Sequence, residues 1–175
     1  KSKKNLRLLE LPSICVRQPE GSLDIKKING GIIVQTIDSK LLDDYTVVTD
    51  RKPTDKELED MMFGLKVVKF AKSNGIVLAK DKQTIGIGPG QVNRIWAVKQ
   101  CVEHSSELIG EGVTHGSVLA SDAFFPFNDC VEEAHKAGIT AIVQPGGSLR
   151  DQDSIDKCNE YGIAMIFTGM RHFKH

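Results

Sequence analysis

Residues 117–168 read SVLASDAFFPFNDCVEEAHKAGITAIVQPGGSLRDQDSIDKCNEYGIAMIFT, and their spacing decides the fold. Three apolar runs, at 117–120, 140–144 and 163–168, are too short for helices and are bounded by turn residues, as buried strands are. Between them, 128–137 and 151–161 repeat their apolar residues at helical intervals. A β-α-β-α-β order joins neighbouring strands through crossover helices, which predicts an α/β domain with a largely parallel or mixed sheet.

Working back from this stretch, GIVLAK (75–80) and QTIGIG (83–88) read as two strands reversed at Asp81 and Lys82. Helical spacing returns over 91–104 through Ile95, Val98 and Val102, with Pro89 and Gly90 expected to begin that helix. Earlier still, Thr54 and Glu57 stand three apart as a capping box, and Leu58, Met61, Met62, Leu65 and Val68 extend it as one long helix. The opening stretch, 6–48, reads as extended and breaks at Gly30 and Gly31, a strand or hairpin region. No internal repeat or linker interrupts the chain.

Composition narrows the function classes. The 175 residues allow one domain with a sizeable core, at roughly 100 to 200 residues per domain. Lys plus Arg number 23 and Asp plus Glu 23, so the chain lacks the positive field by which nucleic acids and anionic membranes are bound. Apolar residues at 40% and charged residues at 26% are ordinary globular usage. No apolar run approaches the roughly 20 residues that span a bilayer, and the basic start KSKKNLRLL lacks the core of a signal peptide. Cys15, Cys101, Cys130 and Cys158 form no C-x-x-C pair, so a soluble chain in the reducing cytoplasm is expected. The first residue is Lys rather than Met, which suggests a fragment or a trimmed product.

Three strand-to-helix loops carry candidate chemistry. GIGPGQ, 86–91, could aim backbone N–H groups at an anion, with Arg94 one turn into the helix, or could simply turn tightly. It is neither a dinucleotide fingerprint, since Gln91 stands where the last glycine belongs, nor a P-loop. QPGGSLRD, 144–151, lies at the carboxyl side of the sheet, where open α/β folds hold ligands, although Ser148 or Asp151 could merely cap a helix. In SDAFFPFND, 121–129, Phe124, Phe125 and Phe127 crowd around Pro126, so that at least one ring is expected to face a ligand or a partner chain. Asp129 sits near a helix N-terminus, where the dipole favours it, and could alternatively bind a heterocycle's N–H groups. Asn74 in KSNG reads as a helix stop on spacing alone. His104, His115, His135, His172 and His175 match no metal-ligand spacing, and no nucleophile elbow is present, so no metal is expected.

Taken together, KSNGIVLAKD, GIGPGQVNRI, SDAFFPFND and MRHFKH resemble the carboxyl-terminal part of the bifunctional purine-biosynthesis family AICAR formyltransferase/IMP cyclohydrolase, in the family's order and over about residues 6–175. The resemblance implies a cytidine-deaminase-like three-layer α/β domain with a mixed sheet. It implies formyl transfer from 10-formyltetrahydrofolate to the 5-amino group of AICAR without a covalent enzyme intermediate. It also implies that residues 1–175 are the second formyltransferase subdomain of a homodimeric enzyme, whose first subdomain, with its Lys-His pair, and whose cyclohydrolase domain lie elsewhere. Carried over by position, Asn74 matches the family's active-site asparagine and His175 its terminal histidine near the reaction centre. Arg94, Phe124 and Arg171 match residues that bind the AICAR nucleotide, Arg171 its phosphate. Ile95, Phe127, Asp129, Ser148 and Leu149 match folate contacts. A non-catalytic nucleotide- or folate-binding module and a subunit-interaction domain are the alternatives.

Overall fold

A computed structural model describes residues 7, 9–12, 19 and 21–174. The chain divides into two compact units, Lys1–Lys40 and Leu41–His175. In the first, β1 (Leu23–Ile28) and β2 (Gly31–Thr36) form an antiparallel hairpin whose register runs from Leu23 opposite Thr36 to Ile28 opposite Gly31. Gly30 makes the turn at φ +81°, a conformation that costs glycine nothing. The break at Gly30 and Gly31 is thus a hairpin.

The second unit is a six-stranded mixed sheet between helical layers. Its strands are β3 (Thr46–Val47), β4 (Ile76–Lys80), β5 (Gln83–Gly88), β6 (Val118–Ser121), β7 (Ala141–Gln144) and β8 (Ala164–Phe167), in the order β3-β8-β7-β6-β4-β5. β6, β7 and β8 run parallel, whereas β3, β4 and β5 each lie antiparallel to a neighbour. Helix α1 (Asp55–Val68) packs on one face, and α2 (Arg94–Ile109), α3 (Asp129–Lys136) and α4 (Asp151–Tyr161) pack on the other. This is the α/β domain with a mixed sheet that the alternating pattern predicts, in the three-layer arrangement that the family resemblance implies.

The period of two along each strand divides the core. Ile76, Leu78, Leu119, Ile142 and Met165 face the three-helix layer with Ala97, Val98, Cys101, Val131 and Cys158. Val77, Ala79, Ala120, Ala141, Val143 and Ala164 face α1 with Met61, Leu65 and Val68. Small residues on this side let α1 lie close: a Cβ on Gly64 would stand 3.1 Å from that of Ala120. At the start of α1, Thr54 Oγ1 accepts from Glu57 N while Glu57 accepts from Thr54 N, the reciprocal pair expected from the capping box.

Two sequence expectations are corrected. Helix α2 begins at Arg94, not at Gln91: Asn93 is its cap, accepting from Trp96 N at 3.0 Å, and Gly90 N and Gln91 N are instead bonded to Lys72 O and Asn74 O. Gly90 and Gln91 therefore spend their N–H groups inside the fold rather than aiming them at an anion. The glycines at 86 and 88 lie within β5 and admit α2, since a Cβ on Gly86 would sit 2.1 Å from Ser105 Oγ and one on Gly88 2.0 Å from Ala97 O. Elsewhere the strands at 118–121 and 164–167 differ from their expected bounds by one residue at each end, and that at 141–144 by one residue at its start. Among the described residues, no helix is long and apolar enough to cross a membrane.

Candidate functional site

The carboxyl ends of β6, β7 and β8 and the start of antiparallel β4 share one edge of the sheet, the edge at which α/β folds leave a crevice. There, a cavity of about 310 Å³ is lined by Asn74, Val92, Asn93, Arg94, Ala123, Phe124, Pro126, Arg171 and Phe173. That volume lies at the small end of ligand pockets, which run from about 300 to 1,000 Å³. Four of the residues singled out from sequence, Asn74, Arg94, Phe124 and Arg171, meet here from four separate segments.

Asn74 is not a helix stop, because α1 ends at Val68 and a loop intervenes. Its side chain is held at both ends: Oδ1 accepts from Arg94 Nη2 at 2.6 Å, and Nδ2 donates to Gln91 O at 2.8 Å. A carboxamide offers two lone pairs and two N–H bonds, so one of each remains by chemistry for a ligand. Arg94 is 5% exposed and stands at the first position of α2 rather than a turn inside it. Its Nη1 donates to Ser121 Oγ at 2.9 Å and to Asp122 Oδ1 at 2.5 Å, so its charge is offset by a buried carboxylate before any ligand arrives.

Arg171 differs in each respect. It is exposed, and its guanidinium carbon lies 4.6 Å from the centroid of Phe124. A Cβ on Gly147, which adopts φ +93°, would come within 3.7 Å of Arg171 Nη2, so the glycine loop borders the guanidinium. A planar cation on an aromatic face, open to solvent, suits an anion better than one neutralised in the core.

Of the remaining candidates, Phe127 and the loop carrying Ser148 and Leu149 come together beside the cavity. Of the three phenylalanines, Phe125 is buried and its N–H donates to Gln144 Oε1 at 2.9 Å, which pins the loop. Phe127 is 50% exposed and lies 5.1 Å from the guanidinium carbon of Arg150, so the aromatic loop and the 145–150 loop meet. Leu149 is fully exposed, and Ser148 Oγ accepts from Arg150 N. Neither Ser148 nor Asp151 caps α4; Arg150 is its cap residue, and Asp151 accepts from Gly147 N at 2.6 Å. Asp129 is the first residue of α3, and its Oδ1 accepts from Cys130 N. Ile95 is partly buried against the core and does not line the cavity. His175 lies outside the described residues.

Asp122 and Ser73 escaped the sequence reading although both lie inside the quoted motifs. Asp122 is fully buried and accepts from Arg94, Ser73 Oγ and Gly75 N. The available signal was its position, directly after a strand at the carboxyl edge, which the adjacent phenylalanines overshadow. Among the described residues, no group of three His, Cys, Asp or Glu side chains could hold a metal ion. Cys101, Cys130 and Cys158 are free, and burial pushes their thiols up, Cys101 and Cys158 to about 12, so none serves as a nucleophile near neutral pH.

The family model for the AICARFT/IMPCHase bienzyme matches residues 1–104. The chain is 63% identical over 175 residues to the bifunctional purine biosynthesis protein PurH of Acetivibrio thermocellus, covering 99% of this chain and 33% of that protein. PurH of Caldicellulosiruptor saccharolyticus is 58% identical over the same shares, and PurH of Clostridium acetobutylicum is 55% identical over 100% of this chain and 33% of its own. The chain thus spans about a third of the length of the curated relatives it matches. A solved RibD chain of Acinetobacter baumannii is similar at TM-score 0.42 and 14% identity, over 64% of this chain and 34% of that one.

Proposed function

Since this chain belongs to the AICARFT/IMPCHase bienzyme family, we propose that it is the second, carboxyl-terminal subdomain of an AICAR formyltransferase, acting in purine biosynthesis as part of a larger, homodimeric enzyme. The observation that carries this reading is the meeting of Asn74, Arg94, Phe124 and Arg171 around one cavity at the carboxyl edge of the sheet. AICAR has three features to be recognised: a phosphate, a flat heterocycle and a carboxamide beside the amine. Arg171 suits the phosphate, Phe124 offers a ring face to the heterocycle, and the Asn74 amide, steadied by Arg94 and Gln91 O, can pair with the carboxamide.

The 10-formyltetrahydrofolate site falls to the neighbouring group. Half-exposed Phe127, fully exposed Leu149 and the carboxylate of Asp129 give an apolar surface with an acceptor at its edge, which fits a pterin with its ring N–H and amino donors. When bound, this cosubstrate supplies the formyl carbon, and the weakly nucleophilic amine that takes it must lose a proton. The chain's contribution is orientation, which in bimolecular reactions is worth roughly 7–11 kcal/mol. The base is expected elsewhere in the larger enzyme, since no segment of this chain resembles the family's Lys-His pair.

The test is formyl transfer and ligand titration by the full-length polypeptide that carries this chain. Arg171→Ala is expected to weaken AICAR binding by about 1.5–3 kcal/mol, the range for hydrogen bonds to charged groups, and to leave a folate analogue's affinity nearly unchanged. Equal losses for both ligands, or binding of neither by the unaltered protein, would overturn the assignment.

A further inference from the structure

The carboxylate of Asp122 has no part in the ligand contacts just assigned, yet it bonds to both segments that carry Asn74 and Arg94. Fully buried immediately after β6, it takes Arg94 Nη1 on Oδ1 at 2.5 Å, and Ser73 Oγ at 2.5 Å with Gly75 N at 3.0 Å on Oδ2. Ser73 and Gly75 are the residues on either side of Asn74. Arg94 is the donor that holds Asn74 Oδ1 through its other terminal nitrogen, at 2.6 Å. A third segment is tied in through Ser73 and the Asp122 main chain: Ser73 Oγ accepts from Lys174 N at 3.0 Å, Ser73 N donates to Lys174 O, and His172 N donates to the Asp122 carbonyl oxygen at 2.9 Å. Arg171 and Phe173, both cavity-lining, belong to that segment.

We propose that Asp122 is a positioning residue that fixes the Asn74 amide by gripping the residue before it, the residue after it and its hydrogen-bond donor. Its kinetic consequence rests on the formyltransfer reading, whereas the geometric claim does not. The grip requires a carboxylate. Three donors converge on its two oxygens, and an ionised carboxyl group only accepts, so all are satisfied. A carboxamide would turn an NH₂ either toward Arg94 or toward Gly75 N and Ser73, setting donor against donor in a buried place, where an unsatisfied group is costly. Ser73 Oγ, with two lone pairs, could accept such an NH₂ beside Lys174 N, but Gly75 N is a backbone donor and cannot reverse its role, so the conflict persists there.

The experiment is a double-mutant cycle in the full-length polypeptide, with kcat and KM measured beside thermal melting. Asp122→Asn is expected to lower kcat by roughly 10- to 100-fold, the scale of an ångström of misplacement, while the KM for AICAR moves much less. Asn74→Ala in the Asp122→Asn background should add little to that loss, because both substitutions remove one oriented amide. Independent, multiplying effects on kcat would show that Asp122 merely supports the fold and would overturn the proposal. Should Asp122→Asn fail to fold, Ser73→Ala, at a half-exposed position, removes one of the three donors and is subjected to the same cycle with the same criteria. A full-length protein without formyl transfer would sink the functional reading alone. The geometric claim is then decided by the Asn74 side-chain NH₂ resonances, expected to be sharp and slow to exchange in the unaltered protein and averaged in Ser73→Ala. Identical resonances in both would overturn it.

Discussion

At the scale of single residues, three buried carboxylates among the described residues, Glu57, Asp60 and Asp122, are each embedded in a set of donors. Glu57 is 8% exposed; burial alone would raise its pKa, but Arg51, Thr140 and Thr54 together hold its carboxyl below the ordinary value of 4.5. A carboxyl whose folded pKa is depressed stabilises the fold at pH values above its unfolded pKa, and that contribution fades as pH falls through the folded value. Glu57→Gln is therefore expected to be destabilised by about 1–3 kcal/mol at pH 7, with the gap to the unaltered protein closing as the pH drops below 4.5. Denaturant titrations at pH 7 and near pH 3 check this, and an equal gap at both would contradict it. Thr54 and Glu57 were legible because a capping box is a local pattern four residues long. Asp122 was not, because its donors come from positions 73, 75 and 94, and nothing in the residues next to it announces them.

Elements were easier to read than their ends, and the helix after GIGPGQ shows why. The apolar spacing of Ile95, Val98 and Val102 predicts α2 correctly, but Pro89 and Gly90 looked like its start because proline and glycine punctuate chains locally. What moves the start to Arg94 is a nonlocal bargain: Gly90 and Gln91 pair with Lys72 and Asn74, and the Asn93 side chain takes over the cap. The glycines were likewise legible as special without their purpose being so. Their purpose is contact, for β5 and α2 approach so closely that Gly88 faces Ala97 O, a backbone atom that cannot rotate away. Gly88→Ala is expected to force α2 outward at a cost of roughly 1–3 kcal/mol, lowering Tm by roughly 2–12 °C in a chain of this size. Gly31→Ala, where a Cβ would meet nothing within 4 Å, serves as the control and should leave Tm within a degree or two. Equal melting of both variants would refute the close-packing account. Because α2 carries Arg94, an outward shift should also loosen the Asn74 amide, so the site and the packing fail together.

At the scale of the whole molecule, the question is how much of an enzyme 175 residues contain. The sheet edge gathers groups suited to binding and orienting, namely two arginines, an amide and exposed rings, while its cysteines are buried and high in pKa. None of these groups is a strong base poised near neutrality. The cavity of about 310 Å³ is also open and small for a nucleotide and a folate together, so that much of each ligand would remain in water on this unit alone. The chain spans about a third of the length of its relatives, and on the reading proposed here the proton-transferring pair lies in the remainder. A well-placed general acid-base group contributes roughly 10²- to 10⁴-fold, and a closed pocket adds orientation beyond that. The 175-residue chain alone is therefore expected to bind AICAR weakly and to show no formyl transfer, and the full-length polypeptide to turn over. Adding a separately purified fragment with the remaining sequence should restore part of the rate, and the restored rate should fall with Asn74→Ala in this chain, because the two pieces then share one site. Turnover by the 175 residues alone would mean that the base is already here, and attention would pass to the residues at the chain's end, Lys174 and His175.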